Sequence, residues 1–83
     1  KNYAIKASVS KGRGSARRIE VETQNITRLD VFWNGRPQAS LDVTGRLTHL
    51  EVPAGVSEGV KPMELLLHGF EGDKPVAVFR KRI

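Results

Sequence analysis

The chain has 83 residues and a mass of 9.2 kDa, the size of one small domain. Hydrophobic residues make up 39% of it and charged residues 28%, which is typical of a folded globular domain and argues against disorder. The absence of cysteine excludes disulfide bridges and thiolate metal sites, and no apolar run approaches the length of a membrane-spanning helix. Because the chain starts at Lys1, we expect residues 1–83 to be a single domain excised from a longer protein.

The net charge of +5 belongs to the two termini of the chain. Residues 1–18 hold six Lys or Arg and no acid, and residues 80–82 are all basic, whereas the stretch between them has more acids than bases. If the first and last strands lie together, they form one basic edge, which either attracts polyanions or protects edge strands from pairing. The residues expected at this edge are Lys6, Arg80 and Arg82.

Alternation of apolar and polar residues with a period of two predicts strands along the whole chain. The expected strands lie near residues 3–9, 18–22, 29–33, 39–43, 50–52, 63–67 and 76–83. Asn34-Gly35 favours a type I′ hairpin between the third and fourth strands, because that turn needs positive φ at both central residues. Pro53 ends the fifth strand and opens the longest loop, residues 53–62. Seven short strands predict an all-β sandwich of two sheets.

Three segments resemble the immunoglobulin-like modules of bacterial proteins. Leu29–Arg36 resembles their hairpin, Leu50–Val56 the following strand with Val-Pro and a loop, and Leu65–Asp73 the penultimate strand and its acidic turn. Over residues 17–83 the resemblance implies an immunoglobulin-like β-sandwich of about seven strands, a pattern that fibronectin type III sandwiches share. It also implies an accessory domain of a secreted, periplasmic or cell-surface protein, without chemistry of its own.

The residues of common catalytic sites occur in the chain, but their spacing predicts no active site. His49 and His68 have no second His or Cys at a metal-binding distance in sequence, and no Gly-x-Ser-x-Gly elbow is present. Glu20 and Glu22 share one face of a strand, with Asp30 expected across from them, and the alternation predicts that this face is solvated. We therefore expect a non-enzymatic protein without a cofactor.

Apolar residues at outward positions predict an interface. On the third strand Trp33 belongs to the core side, so Phe32 is expected on the outer face, and Leu66 has the same position on the sixth strand. In an immunoglobulin-like sandwich these strands and the seventh are neighbours, so their exposed apolar side chains would cluster. This patch either docks a neighbouring domain of the same or another protein or is covered by the loop 53–62.

The seventh strand extends this patch with one of two apolar pairs. Either Phe79 and Ala77 point outward or Val76 and Val78 do, since the strand is apolar at both parities. We take Phe79, together with Phe32 and Leu66, as the interface residues.

Trp33 has two alternative roles. Its parity places it in the core, where a large ring would anchor a small domain. Alternatively, its position at the end of a strand beside Asn34 and Arg36 would let it stack on a sugar ring.

The alternative function is a small basic β module that binds nucleic acid or an acidic polysaccharide. The loop Ser10–Ser15 is rich in glycine and lacks the Walker pattern, so it is either a backbone nest for phosphate or a flexible hairpin loop. The candidate anion-binding residues are Lys11, Arg13, Arg17, Arg18, Arg80, Lys81 and Arg82.

Overall fold

The computed structural model describes residues 1–52 and 63–82. Within these ranges the chain forms seven β-strands and no helix. The strands are β1 (Ala4–Lys11), β2 (Arg17–Gln24), β3 (Arg28–Trp33), β4 (Arg36–Asp42), β5 (Leu47–Val52), β6 (Glu64–Glu71) and β7 (Lys74–Arg82). The predicted all-β fold is confirmed. The alternative in which the loop 53–62 covers the outward apolar residues lies outside the described residues.

The strands form two antiparallel sheets. One sheet has the order β1-β2-β5, and the other has the order β4-β3-β6-β7. The predicted neighbourhood of the third, sixth and seventh strands is confirmed, since β6 pairs with both β3 and β7. Two central strands, β3 and β6, therefore organise the larger sheet.

The hairpin between β3 and β4 has the predicted turn. Asn34 and Gly35 both have positive φ, 52° and 80°, as a type I′ turn requires. Asn34 also fixes the hairpin to the start of β6, because its Oδ1 accepts a hydrogen bond of 2.8 Å from the backbone N–H of Glu64. Its own N–H donates to the carbonyl of Glu64 at 2.9 Å.

Residues at alternate positions of the central strands form the core between the sheets. The fully buried side chains are Trp33, Ile19, Leu29, Leu65, Leu67, Val21, Val31 and Val52. Trp33 is 0% exposed, so the interpretation of this ring as a core residue is confirmed and its stacking on a sugar is excluded in this conformation. Removal of this apolar surface from water is the main force that holds the two sheets together.

Gly69 allows the two sheets to approach closely at one end. A Cβ atom at this position would lie 2.8 Å from Cδ1 of Ile5 and 2.9 Å from Cδ1 of Ile26, closer than carbon atoms pack. Glycine at this site of β6 therefore leaves room for the side chains that close the core beside β1.

Both edge strands of the four-stranded sheet carry a bulge and a proline. The partners of β3 change from Ala39 to Pro37 between Val31 and Phe32, which leaves one extra residue in β4. A similar shift leaves one extra residue in β7 beside Pro75. Bulges and prolines at edges hinder the addition of a further strand, so this sheet is protected at both edges.

The first and last strands lie together, as predicted, but in different sheets. Contacts between β1 and β7 close one side of the sandwich. Both strands start near Glu71, which accepts a hydrogen bond from Tyr3 just before β1 and lies just before the turn into β7. They therefore run in the same direction, and both finish at the opposite end of the molecule, at Lys11 and Arg82.

Candidate interaction surfaces

Cross-strand pairs place an apolar patch on the outer face of the four-stranded sheet. Phe32 lies opposite Pro37 on one side and Leu66 on the other, and His68 lies opposite Val78 in the next row. Directly opposed residues of antiparallel strands share a face. We call these five residues, contributed by all four strands, the outer patch.

The outer patch is open to solvent in the described structure. Val78 is 68% exposed, one of the two most exposed large hydrophobic side chains among the described residues, and Phe32 and Leu66 are both partly exposed. The ring of Phe32 lies against the ring of His68, with 5.1 Å between centroids and a tilt of 55°. Phe32 and Leu66 therefore point to the outer face, as the alternation of the sequence predicts.

Phe79 does not belong to this surface, which corrects one predicted interface residue. Phe79 lies opposite the buried Leu67 and packs against the core, so it has the inward parity. Val78, and not Phe79, is on the outer face of β7, opposite His68. The bulge in β7 separates Pro75 from Ala77 by an extra residue and so sets this parity.

Polar groups lie in the same two rows as the outer patch and at both ends of the strands. Asp30 is opposite His68, and Arg80 is opposite Leu66. Arg28 stacks over Phe70 with its guanidinium carbon 4.0 Å from the ring centre, and its Nε lies 3.5 Å from Asp30. Ser40 Oγ donates a hydrogen bond of 2.8 Å to Asp30 Oδ1.

Glu64 forms the border at the other end of the outer patch. Its carboxylate lies 3.7 Å from Arg80 Nε and 3.8 Å from Arg82 Nε. An apolar centre with a polar rim is the usual composition of a protein interface.

A shallow cleft of about 490 Å³ adjoins the outer patch between β3 and β4. Its walls include Phe32 and Pro37 from the patch and the polar side chains of Gln38 and Ser40. The cleft makes this face of the sheet concave at one place, and a protruding side chain of a partner fits such a recess.

The outer face of the three-stranded sheet has a different character. Glu20 and Glu22 are exposed there, 3.6 Å from Arg18 and 3.3 Å from Arg46, as the prediction of a solvated face requires. Asp30 does not lie across from them, as we expected, because β3 belongs to the other sheet. The large apolar exception is Leu47, which is 70% exposed.

The two histidines lie on different sheets. His49 is opposite Glu20 in the three-stranded sheet, whereas His68 is in the outer patch. In residues 1–52 and 63–82, no group of three His, Cys, Asp or Glu side chains is arranged to hold a metal ion. The same part of the chain contains no helix long and apolar enough to cross a membrane.

A carboxylate occupies the glycine-rich loop between β1 and β2. The loop is closed by hydrogen bonds from Gly12 N to Ala16 O at 2.9 Å and from Ala16 N to Arg13 O at 3.0 Å. The amide of Arg13 donates to Glu51 Oε2 at 3.0 Å. Because this loop amide already binds an internal anion, the structure does not favour a backbone nest for phosphate here.

The predicted basic residues gather at one end of the sandwich and not along an edge. Lys6 is on the outer face of the three-stranded sheet, opposite Glu22, whereas Arg80 and Arg82 are on the outer face of the other sheet beside Glu64. The predicted basic edge with Lys6 is therefore corrected. The predicted anion-binding residues Lys11, Arg13, Arg17, Arg18, Arg80, Lys81 and Arg82 lie at or near the end where β1 and β7 finish.

A polar cluster ties the N-terminus to the opposite end. Lys1 Nζ donates a hydrogen bond to Glu71 Oε2, and Tyr3 Oη donates one of 2.7 Å to Glu71 Oε1. The bond from Lys1, followed by that from Tyr3, lowers the pKa of Glu71. The hydrogen bond to Glu71 in turn raises the pKa of Lys1 and that of Tyr3.

The Glu71→Gln variant is expected to change how stability depends on pH. A carboxyl whose pKa is lowered by folding stabilises the fold above its ordinary pKa and loses this effect as the pH falls through the lowered value. The wild type should therefore be more stable than Glu71→Gln near neutral pH, and the difference should vanish in acid. Urea midpoints of both proteins at several pH values test this.

The matched control is Asp73→Asn, which neutralises an exposed acid in the turn that follows Glu71. Its urea midpoint should follow that of the wild type across the acid range. A difference between wild type and Glu71→Gln that does not change with pH would contradict the assigned role of the Glu71 charge.

Comparison with protein-family models, curated proteins and solved structures finds no match to this chain.

Proposed function

We propose that the chain is a non-catalytic, immunoglobulin-like interaction module that docks a partner domain in a larger extracytoplasmic protein or complex. The observation that carries the proposal is the outer patch, in which four adjacent strands contribute to one exposed and largely apolar surface. Contiguous exposed apolar groups with a polar rim are typical of surfaces that bind another protein.

The strand order supports the immunoglobulin-like assignment. In that fold the third, sixth and seventh strands share one sheet, and the first, second and fifth strands share the other. The same grouping occurs here, except that the fourth strand pairs with β3 in the larger sheet, whereas in constant-type domains it belongs to the other sheet. The resemblance of Leu29–Arg36 to the hairpin of bacterial modules supports the same assignment.

The edges of the four-stranded sheet favour docking through its face. An added strand from a partner needs a regular edge with free backbone donors and acceptors. Pro37 and Pro75, each beside a bulge, interrupt that regularity in β4 and β7. The partner therefore approaches the outer patch with side chains and does not extend the sheet.

The difference between the two outer faces supports one specific docking side. Charged pairs such as Arg18–Glu20 and Arg46–Glu22 cover the three-stranded sheet, and ionic groups of this kind remain hydrated. The outer patch instead combines Phe32, Leu66 and Val78. Burial of such apolar surface contributes about 25 cal/mol per Å², so the two faces differ in the association free energy that they offer.

A photoreactive crosslinking residue at Val78 tests the proposal. The matched control carries the same residue at Leu47, which has nearly the same exposure, 70% against 68%, on the other sheet. In the cells that naturally make the protein, position 78 should crosslink to peptides of one folded partner domain, and position 47 should not. Phe32→Ser in the Val78-labelled chain should remove these crosslinks.

Three results would contradict the proposal. Equal crosslinking from positions 47 and 78 would show that the outer patch has no special affinity. Crosslinks that persist in the Phe32→Ser background would place the contact elsewhere. Crosslinks between two copies of this chain would replace the partner domain with self-association.

A further inference from the structure

The net charge of the molecule lies at the end where β1 and β7 finish, which we call the basic end. Among the described residues, the bases on this half are Lys11, Arg13, Arg17, Arg18, Arg36, Arg80, Lys81 and Arg82, and the acids are Glu20, Glu51 and Glu64. On the other half of the described chain, five bases are balanced by five acids. The excess of five positive charges at the basic end equals the net charge of the whole chain.

Three strands place a base at the inward position nearest the basic end. On β1 the inward-facing Val9 is followed, two residues later, by Lys11. On β7 the inward-facing Phe79 is followed by Lys81 in the same way. On β2 Arg17 precedes the buried Ile19. At the same level the core contains the buried Val52, Trp33 and Leu65, so the three bases lie at its margin on β1, β2 and β7.

These three bases have no ionic partner among the described residues. None of the ion pairs in this part of the chain includes Lys11, Arg17 or Lys81. Lys11 lies directly opposite Arg17, and like charges in this position repel each other. Arg17 Nε is buried with no hydrogen-bond partner in the described structure, which leaves a charged donor unsatisfied.

We propose that the basic end binds an acidic polysaccharide, with one of its anionic groups held by Lys11, Arg17 and Lys81. An anion there would relieve the repulsion between Lys11 and Arg17. The flanking Arg13, Arg80 and further arginines would contact neighbouring groups along the chain. Arginine suits this role because its planar guanidinium donates two parallel hydrogen bonds to a sulfate or carboxylate group.

The aromatic residues favour a polysaccharide over single-stranded nucleic acid. Binding of single strands depends on exposed rings on which bases stack. Trp33 is buried, and Phe79 packs inward against the core. Tyr3 and Phe70 lie toward the opposite end, and Phe32 is in the outer patch. The basic end therefore offers charge without a stacking platform.

Two variants with the same charge change test the site. Lys11→Gln/Lys81→Gln removes two exposed bases from the basic end, and Lys6→Gln/Lys74→Gln removes two exposed bases from the other half. Binding of heparin, which carries sulfates, and of hyaluronan, which carries only carboxylates, is measured by titration calorimetry at several salt concentrations. Single- and double-stranded DNA of similar length serve as competing ligands.

Wild-type protein should bind at least one of the two polysaccharides, and more tightly than either DNA. The Lys11→Gln/Lys81→Gln variant should lose at least about tenfold in affinity and about one unit of the log–log salt slope, because both lysines hold the same anionic group of the ligand. The Lys6→Gln/Lys74→Gln variant should stay within about twofold of the wild type. Binding of heparin alone assigns the ligand group as sulfate, and binding of both polysaccharides shows that a carboxylate suffices.

Equal losses in the two variants would overturn the proposal, because they would indicate attraction by net charge without a site. Tighter binding of either DNA would replace the polysaccharide with nucleic acid. If neither polysaccharide binds at low salt, the proposal that the basic end binds an acidic polysaccharide is wrong. The proposal does not depend on the outer patch, so failure of the crosslinking experiment would leave it unaffected.

Discussion

Trp33→Ala is expected to destabilise the protein by about 3–5 kcal/mol, the usual loss when a buried aromatic side chain is truncated. Trp33 is fully buried and is the largest side chain in the core. A chain of 83 residues has a total stability of about 4–12 kcal/mol, from about 0.05–0.15 kcal/mol per residue. The variant should therefore be marginally folded or unfolded at room temperature, as measured by urea unfolding followed by far-ultraviolet circular dichroism.

The matched control is Phe32→Ala, the neighbouring aromatic residue on the outer face. Phe32 is partly exposed and loses mainly its contact with His68, so the expected loss is about 1 kcal/mol. Similar losses for the two variants would mean that the inward and outward parities of β3 are not as described. The pair therefore tests the orientation of the strand as well as the size of the core.

Leu65→Asp and Leu66→Asp are expected to differ strongly in stability, although the two positions are adjacent. Leu65 is 0% exposed, so an aspartate there would be buried without a partner, which costs several kcal/mol and should prevent folding. Leu66 is partly exposed on the outer face, where a carboxylate remains hydrated. Leu66→Asp should therefore fold, with a loss of about 1 kcal/mol.

The folded fraction of each variant is measured by the dispersion of its amide proton resonances in a two-dimensional NMR spectrum. Leu66→Asp should have the dispersed spectrum of a β-protein, and Leu65→Asp should have a collapsed one. A folded Leu65→Asp together with an unfolded Leu66→Asp would show that β6 is shifted by one residue. Leu66 and His68, the two residues of β6 in the outer patch, would then face the core.

The centre of the fold could be predicted from local patterns. In β3, alternation alone assigned Trp33 inward and Phe32 outward, and Asn34-Gly35 identified the turn that follows. These signals are local because side-chain parity has a period of two and the turn depends on two residues. Leu66 followed from the same rule in β6.

The parity of β7 could not be predicted because its sequence is ambiguous. Val76, Ala77, Val78 and Phe79 are all apolar, so alternation gives no phase. The bulge beside Pro75 sets the phase, and it depends on the pairing of β7 with β6. Both apolar pairs were left open, and Phe79 was taken as the interface residue, whereas Val78 of the other pair is on the outer face.

The basic end depends on contacts between residues far apart in the chain. Glu51 binds the amide of Arg13 across 38 positions, and Lys11 and Lys81 come to the same end only through the directions of β1 and β7. The sequence located the charge at the termini but not its arrangement, since Lys6 was grouped with Arg80. The sequence contained one indication of this arrangement: on both β1 and β7 the last inward-facing position is a lysine.

The most direct test of the strand register uses the fluorescence of Trp33, the single tryptophan of the chain. The outward position of Phe32, and with it the outer patch, requires this ring to lie between the sheets. Its emission should be blue-shifted in the native protein and only weakly quenched by acrylamide, and both properties should change to those of free tryptophan on unfolding in urea. Native emission and quenching like those of tryptophan in water would mean that β3 faces the other way, and the proposed docking surface would be buried.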